Sequence, residues 1–240
     1  MHAPLFIAIP KLKALGGADR KATAALPAPG SSQKSDPGSP QEALTTGQSQ
    51  LEPFHQTLRD RLISYFESIN LRHKPKLIAV TGLGRGSGVT TTASGLARSL
   101  SETGEGNVLL VDMTQGQGSA QHFQRGNQVG LDQLLDTRNS AFVRDNLYVV
   151  SEHSGGERLA KGLPQRFNQL VPKLKASDFD YIIFDMPPVN QISITPRLAG
   201  FMDMTLLVVE SEKTDRHVAE RAAELLAQSK TNVGVVLNKN

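Results

Sequence analysis

The chain has 240 residues, 38% hydrophobic and 20% charged, with a formal net charge of +3 and no cysteine. That is apolar material for one packed domain with a tail, and it excludes disulfides and thiolate metal sites. Six scattered histidines point away from zinc, the absence of a lysine/arginine block interleaved with aromatics points away from nucleic acid, and no apolar run approaches the roughly 20 residues that span a bilayer.

The chain opens with "MHAPLFIAIPK", an apolar stretch from Leu5 to Ile9 between Pro4 and Pro10. It is too short for the core of a signal peptide and no cationic segment precedes it, so the protein is expected to be cytoplasmic. The stretch reads either as a frayed terminus or as a contact for a partner. From Gly16 to Gln50, Pro, Gly, Ser, Ala and Gln dominate. Such a segment buries too little surface to offset its ordering entropy, so residues 1–50 are expected to be a disordered tail and residues 51–240 the folded domain.

"LEPFHQTLRDRLISYFESIN" follows, with Phe54, Leu58, Leu62, Phe66 and Ile69 at helical spacing and Pro53 suited to a first turn. From Lys76 the pattern changes to short β-branched runs: "KLIAVTG", "NVLLVD", "NLYVVS", "DYIIFDM", "TLLVVES" and "NVGVVLNK". Several are apolar throughout, as strands buried on both faces are. Helical stripes lie between most of them: Ala93, Leu96, Ala97 and Leu100; then Leu163, Phe167, Leu170 and Leu174, where Pro172 is expected to kink or end the helix; then Val218, Ala222, Leu225 and Leu226. The alternation predicts an α/β domain, a mostly parallel sheet flanked by helices, with ligands at the carboxyl ends of the strands.

Three motifs stand at those strand ends. "GLGRGSGVTTTAS", Gly82 to Ser94, follows the first run and opens a helix at Thr90. A glycine-rich turn into a helix N-terminus gathers backbone N–H groups and the positive end of the dipole, which suits a phosphate. In the closest register of the G-x-x-x-x-G-K-[ST] pattern, Leu83 takes the first glycine position, Gly88 the second, Val89 the lysine and Thr90 the hydroxyl. The dinucleotide pattern G-x-G-x-x-G fails at Ser87 or at Val89. A tight turn alone would account for two of the glycines but not for Thr90, Thr91 and Thr92. The second motif, "NVLLVDM", ends in Asp112, which could hold Mg²⁺ or bind a ribose. The third, "FDYIIFDMPPV", ends in Asp185 before Pro187 and Pro188. A carboxylate there matches the second acidic motif of phosphate-loop proteins, which reaches Mg²⁺ through water, and dinucleotide folds have no need of it.

Together with "DMTLLVVESEKT" and "VGVVLNK", these segments resemble the bacterial tyrosine kinase (BY-kinase) domain of the Wzc/CapB type, within the ParA/MinD group of P-loop ATPases. The resemblance runs from about Leu51 to Asn240. It implies a P-loop NTPase-like fold, ATP or ADP with Mg²⁺ as cofactors, and a role in exopolysaccharide or capsule synthesis. It also implies a membrane polysaccharide co-polymerase or chain-length protein as partner, recruitment to the inner membrane through it, and a homo-oligomer. Carried over, Gly84, Arg85, Gly86, Ser87, Gly88 and Val89 would form the phosphate cradle. Thr90 would ligate Mg²⁺, Thr91 would lie near the α-phosphate, Asp112 and Asp185 would serve Mg²⁺ and the attacking hydroxyl, and Asn238 would read adenine.

The chain departs from the family pattern at several points. The loop lysine is Val89, the ParA-type signature lysine near Gly84 is missing, and Arg85 is the only cation nearby in sequence. The oligomer motif E-x-x-R-x-x-R reads Pro53, Gln56 and Arg59, and no C-terminal tyrosine cluster precedes Asn240. The three tyrosines, Tyr65, Tyr148 and Tyr181, fall on a predicted helix and in predicted strands, so autophosphorylation is not expected. Three readings follow: a BY-kinase-like regulatory protein with a degenerate nucleotide site; an active tyrosine kinase or ATPase rescued by Arg85 or a partner's residue; and a ParA/MinD-type positioning ATPase.

Overall fold

The computed structural model describes residues 5–9, 40–114, 118, 119, 123, 131, 142–144, 146–152, 157–190 and 194–239. In chain order these form β1 (Leu5–Ile9), α1 (Pro40–Ser68), β2 (Lys76–Gly82), α2 (Val89–Ser101), β3 (Asn107–Asp112), β4 (Phe142–Arg144) and β5 (Leu147–Ser151). They continue with α3 (Glu157–Lys175), β6 (Phe179–Asp185), α4 (Thr195–Ala199), β7 (Met204–Glu210), α5 (Arg216–Ala227) and β8 (Asn232–Asn238). The strands make one sheet in the order β1-β8-β7-β2-β6-β3-β5-β4, and among the described residues only the β4–β5 pair is antiparallel.

The apolar strands divide by residue parity, because side chains alternate across a pleated sheet. Ile78, Val80, Val108, Leu110 and Ile183 face a cluster closed by Leu58, Leu62 and Phe66 of α1 and by Ala93, Leu96, Ala97 and Leu100 of α2. Leu77, Ala79, Leu109, Val111, Ile182 and Phe184 face Phe167, Leu170 and Leu174 of α3. Helix α1 docks on α2 through His55, whose ring lies against Gly95; a Cβ there would come within 2.2 Å of it. Burial, helped by the Arg98 charge, holds the His55 imidazole down at a pKa of about 4, so it packs as a neutral ring.

Several expectations change at element ends. The stretch Leu5–Ile9, expected in the tail, is a strand paired in parallel with β8, with Phe6, Ile7 and Ile9 buried. Helix α1 begins at Pro40, so Pro53 sits inside it rather than in its first turn. The remainder of the expected tail, including residues 10–39, lies outside the described residues. Ile69 is exposed, because α1 ends at Ser68 and Asn70 turns into the left-handed region at φ 55°, with Leu71 N–H bonding Phe66 O at 2.9 Å. Helix α3 runs through Pro172 to Lys175, and Ala176 N–H bonds Pro172 O at 3.0 Å. Val218 is exposed while Ala222 and Leu226 are buried, which narrows the α5 stripe; the Leu163 side chain lies outside the described residues. No helix among the described residues is long and apolar enough to cross a membrane.

Candidate nucleotide site

The three motifs, separated in sequence, meet because β6 lies between β2 and β3. Asp185 is in register with Val80 on one side and with Asp112 on the other. The chain after β6 is fastened to the end of β2: Met186 N–H donates to Val80 O (2.9 Å) and Val189 N–H to Gly82 O (2.8 Å). The Thr81 and Thr195 hydroxyls both donate to Pro187 O, at 2.8 and 2.9 Å. The Pro187-Pro188 pair is thus part of the scaffold that holds Asp185 beside the loop.

The loop between β2 and α2 needs its glycines for different reasons. Gly86 and Gly88 have φ of 81° and 92°, a region that side chains with a Cβ rarely adopt. A Cβ at Gly88 would also fall 2.1 Å from the Asn238 amide nitrogen, whereas one at Gly84 or Gly86 would meet nothing within 4 Å. The Ser87 hydroxyl closes the loop onto Gly84 O at 2.9 Å. Helix α2 begins at Val89, one residue before the expected Thr90, and no side chain caps it. An uncapped helix start behind an open glycine turn is what a phosphate group requires.

The threonine run divides by role. Thr92 bonds back to Gly88 O through its hydroxyl, at 2.8 Å, and so belongs to the helix. The Thr90 hydroxyl faces Asp185 and favours its ionised form. Thr91 is half-buried between them. Val89 turns back onto the core cluster, its Cγ2 lying 2.7 Å from where a Cβ on Gly82 would stand. Arg85 is exposed at the loop tip.

The two carboxylates differ. Asp112 accepts both the Thr114 N–H (2.9 Å) and its hydroxyl (2.7 Å) on one oxygen, and a Cβ on Gly118 would strike both oxygens. Asp185 is fully buried; one oxygen accepts the Ser119 N–H at 3.1 Å and the other has no partner among the described residues. Burial first, and the Asp112 charge second, push the Asp185 carboxyl up to about 7. A buried carboxyl oxygen left without a partner beside a hydroxyl and a second carboxylate fits a hydrated divalent cation, which takes few protein ligands. The residues present therefore fit both a phosphate and Mg²⁺: the loop for the first, and Thr90, Asp185 and Asp112 for the second.

Residues beyond the motifs complete the site. The Asn238 amide donates to Ser87 O (2.8 Å) and accepts the Lys239 N–H (2.9 Å), so both its ends serve the loop wall. The Lys239 ammonium donates to Gly86 O at 2.6 Å and pairs with Glu210 at 2.8 Å, and Lys213 pairs with the same carboxylate. Arg85 is therefore not the only cation near the loop. Sequence spacing could not show this, because Lys239 reaches the loop from the last strand. The "NK" step after β8 was the available signal. Ser119 and Ser151, buried beside the carboxylates, were likewise missed. Arg59, the surviving residue of the oligomer pattern, donates to Ser99 O at 3.2 Å.

No protein-family model matches the chain. It is 28% identical over 173 residues to a tyrosine-protein kinase CpsD of Streptococcus agalactiae, covering 68% of this chain and 74% of that one. It is 26% identical over 204 residues to the tyrosine-protein kinase YwqD of Bacillus subtilis, covering 82% and 84%. Among solved structures, the kinase domain of the Escherichia coli tyrosine kinase ETK superposes with a TM-score of 0.72 at 19% identity, over 98% of this chain and 90% of that one. The septum site-determining protein MinD of Pyrococcus horikoshii, complexed with Mg-ADP, gives 0.54 at 20% identity, over 68% and 70%. By sequence the chain is thus similar to proteins named tyrosine-protein kinases, and by fold it is similar to the ETK kinase domain and, over a smaller share, to MinD.

Proposed function

We propose that the chain is a BY-kinase-like regulatory protein of capsule or exopolysaccharide synthesis that holds a nucleotide diphosphate with Mg²⁺ and turns ATP over very slowly. The observation that carries this is the pairing of an intact acidic rim with a loop that has no lysine: Asp185 keeps a buried oxygen without a partner, while position 89 folds a valine onto the core. The backbone of Gly84 to Gly88 would take the phosphates, and Thr90, Asp112 and Asp185 would hold Mg²⁺. When bound, Mg²⁺ neutralises the charge on the phosphates. The lysine's share of that neutralisation is missing, and losing one partner of a buried charge pair costs roughly 2–5 kcal/mol.

The tyrosines support a regulatory rather than an autophosphorylating role. Tyr65 packs edge-on against Phe6 with centroids 5.6 Å apart, and Tyr148 lies between Phe142 and Phe179 at 5.6 and 5.3 Å. Tyr181 lies under the Lys76 ammonium, and burial pushes its hydroxyl up in pKa. A tyrosine in a core strand reaches another active site only after local unfolding. The similarity to proteins named tyrosine-protein kinases supports the kinase lineage, and the lineage supports a membrane co-polymerase as partner. The fold shared with MinD leaves the positioning ATPase as the reading to test against, and the missing signature lysine counts against it.

The test is calorimetric titration of Mg-ADP and Mg-ATP, followed by the same measurement and a turnover assay on Val89→Lys. The parent is expected to bind Mg-ADP with barely measurable turnover. The lysine variant is expected to gain at least about thirtyfold in Mg-ATP affinity or turnover, the low end of the range above. A variant indistinguishable from the parent in both would show that the loop is not a phosphate cradle.

A further inference from the structure

Two consecutive peptide groups of the loop are held by the end of β8. Lys239 takes Gly86 O at 2.6 Å and Asn238 takes Ser87 O at 2.8 Å. In a trans peptide the carbonyl and the following N–H point in opposite directions. Fixing these two carbonyls toward β8 therefore aims the N–H groups of Ser87 and Gly88 away from β8. In the sheet order β8-β7-β2-β6, Asp185 of β6 stands on the far side of β2 from β8. The Lys239 backbone is itself in the left-handed region, at φ 59°, and its N–H is tied to the Asn238 side chain, which folds the chain back over the loop.

We infer that Lys239 is a positioning residue for the phosphate loop: its ammonium orients the Gly86–Ser87 peptide toward a bound diphosphate and sets a positive charge on the outer side of the loop, a place distinct from position 89. The inference rests on the nucleotide reading above and names the residue that sustains it. Glu210 holds the ammonium from behind, with Lys213 as a second counterion, so this cluster of three side chains carries a net positive charge. A net positive charge against an anion nest strengthens a site for diphosphate.

The two members of the Lys239–Glu210 pair separate this role from a merely structural one. Breaking an ion pair from either side would have like effects if the pair only braced the fold. A charge that serves the ligand predicts opposite effects. With Mg-ADP and inorganic pyrophosphate as probes, Lys239→Met is expected to weaken binding roughly tenfold to a hundredfold, as loss of a charged hydrogen bond does, and Lys239→Arg to restore most of it. Glu210→Gln is expected to bind as tightly as the parent or more tightly, since a negative charge leaves the neighbourhood while the ammonium stays on Gly86 O. Thermal midpoints without ligand identify any variant that fails to fold, and Lys239→Gln then replaces Lys239→Met. Equal binding by Lys239→Met and the parent, or equal weakening by Lys239→Met and Glu210→Gln, would overturn the inference and leave the nucleotide reading standing. A parent that binds neither probe would overturn both.

Discussion

The two ends of the sheet carry the same residue type and use it in opposite ways. At the amino end, two aspartates flank the start of β2 and are engaged by backbone and base alike. Asp203 accepts the Leu77 N–H at 2.8 Å and pairs with His73 at 3.0 Å. Asp180 accepts the Asn107 N–H at 2.8 Å and pairs with Lys74. At the carboxyl end, Asp185 receives one backbone N–H and is left with a buried oxygen that nothing among the described residues satisfies, beside a second carboxylate. An aspartate whose bonding capacity is filled stabilises the fold. One whose capacity is left over destabilises the free protein and marks where a ligand completes the structure.

The largest effect is expected at Asp203: Asp203→Ala strands the N–H of the buried Leu77 and should lower unfolding free energy by about 3 kcal/mol, read by denaturant titration. A loss no greater than that of an exposed substitution would mean the amino-end carboxylates are ornamental.

A smaller effect of opposite sign is expected at Asp185. Its folded pKa of about 7 stands above the ordinary value of 3.8, so between these the folded state holds more protons than the unfolded one. Stability contributed by this group therefore falls as pH rises from about 4 to about 7, and the cost is complete above 7. Asp185→Asn should then stabilise the ligand-free protein at pH 8 and leave its stability unchanged near pH 4. Mg-ADP should reverse the ranking at pH 8. A variant less stable than the parent at every pH would place Asp185 with the amino-end pair.

The smallest effect is expected at Lys74. Lys74 is mostly exposed, and Asp180 keeps its Asn107 N–H without it. Lys74→Ala should cost no more than about 0.5 kcal/mol, less in high salt, because solvent screens an exposed pair. A larger loss would mean that the amino end is held by its charges rather than by its backbone bonds.

Much of the sheet was legible because strands buried on both faces leave nearly unbroken apolar runs, as β2, β3 and β7 do. Alternate residues of β2 close two different clusters, a division that an unbroken apolar run does not display. Strand β1 was not legible as a strand. Five apolar residues between prolines look the same frayed or paired, and its partner lies at the other end of the chain. The acidic rim could be read because Asp112 and Asp185 end strands. Their inequality could not, because it arises from Thr114, Gly118 and Ser119 folding around them. Lys239 escaped for the same reason: its role depends on where β8 ends in space relative to a loop some 150 positions earlier.

The pairing of β1 has a consequence for the amino terminus. Ile9 is in register with Asn238, Phe6 fills the notch left by Gly234 on β8, and Arg61 of α1 donates to Phe6 O from outside. The first strand thus forms one ladder with the residues that hold the loop carbonyls, and opening the edge of that ladder costs the loop its fixed shape. Because linkage is reciprocal, a diphosphate bound on the loop as proposed is expected to slow amide hydrogen exchange in Leu5–Ile9, and displacement of that strand by another chain is expected to weaken diphosphate affinity by the same factor.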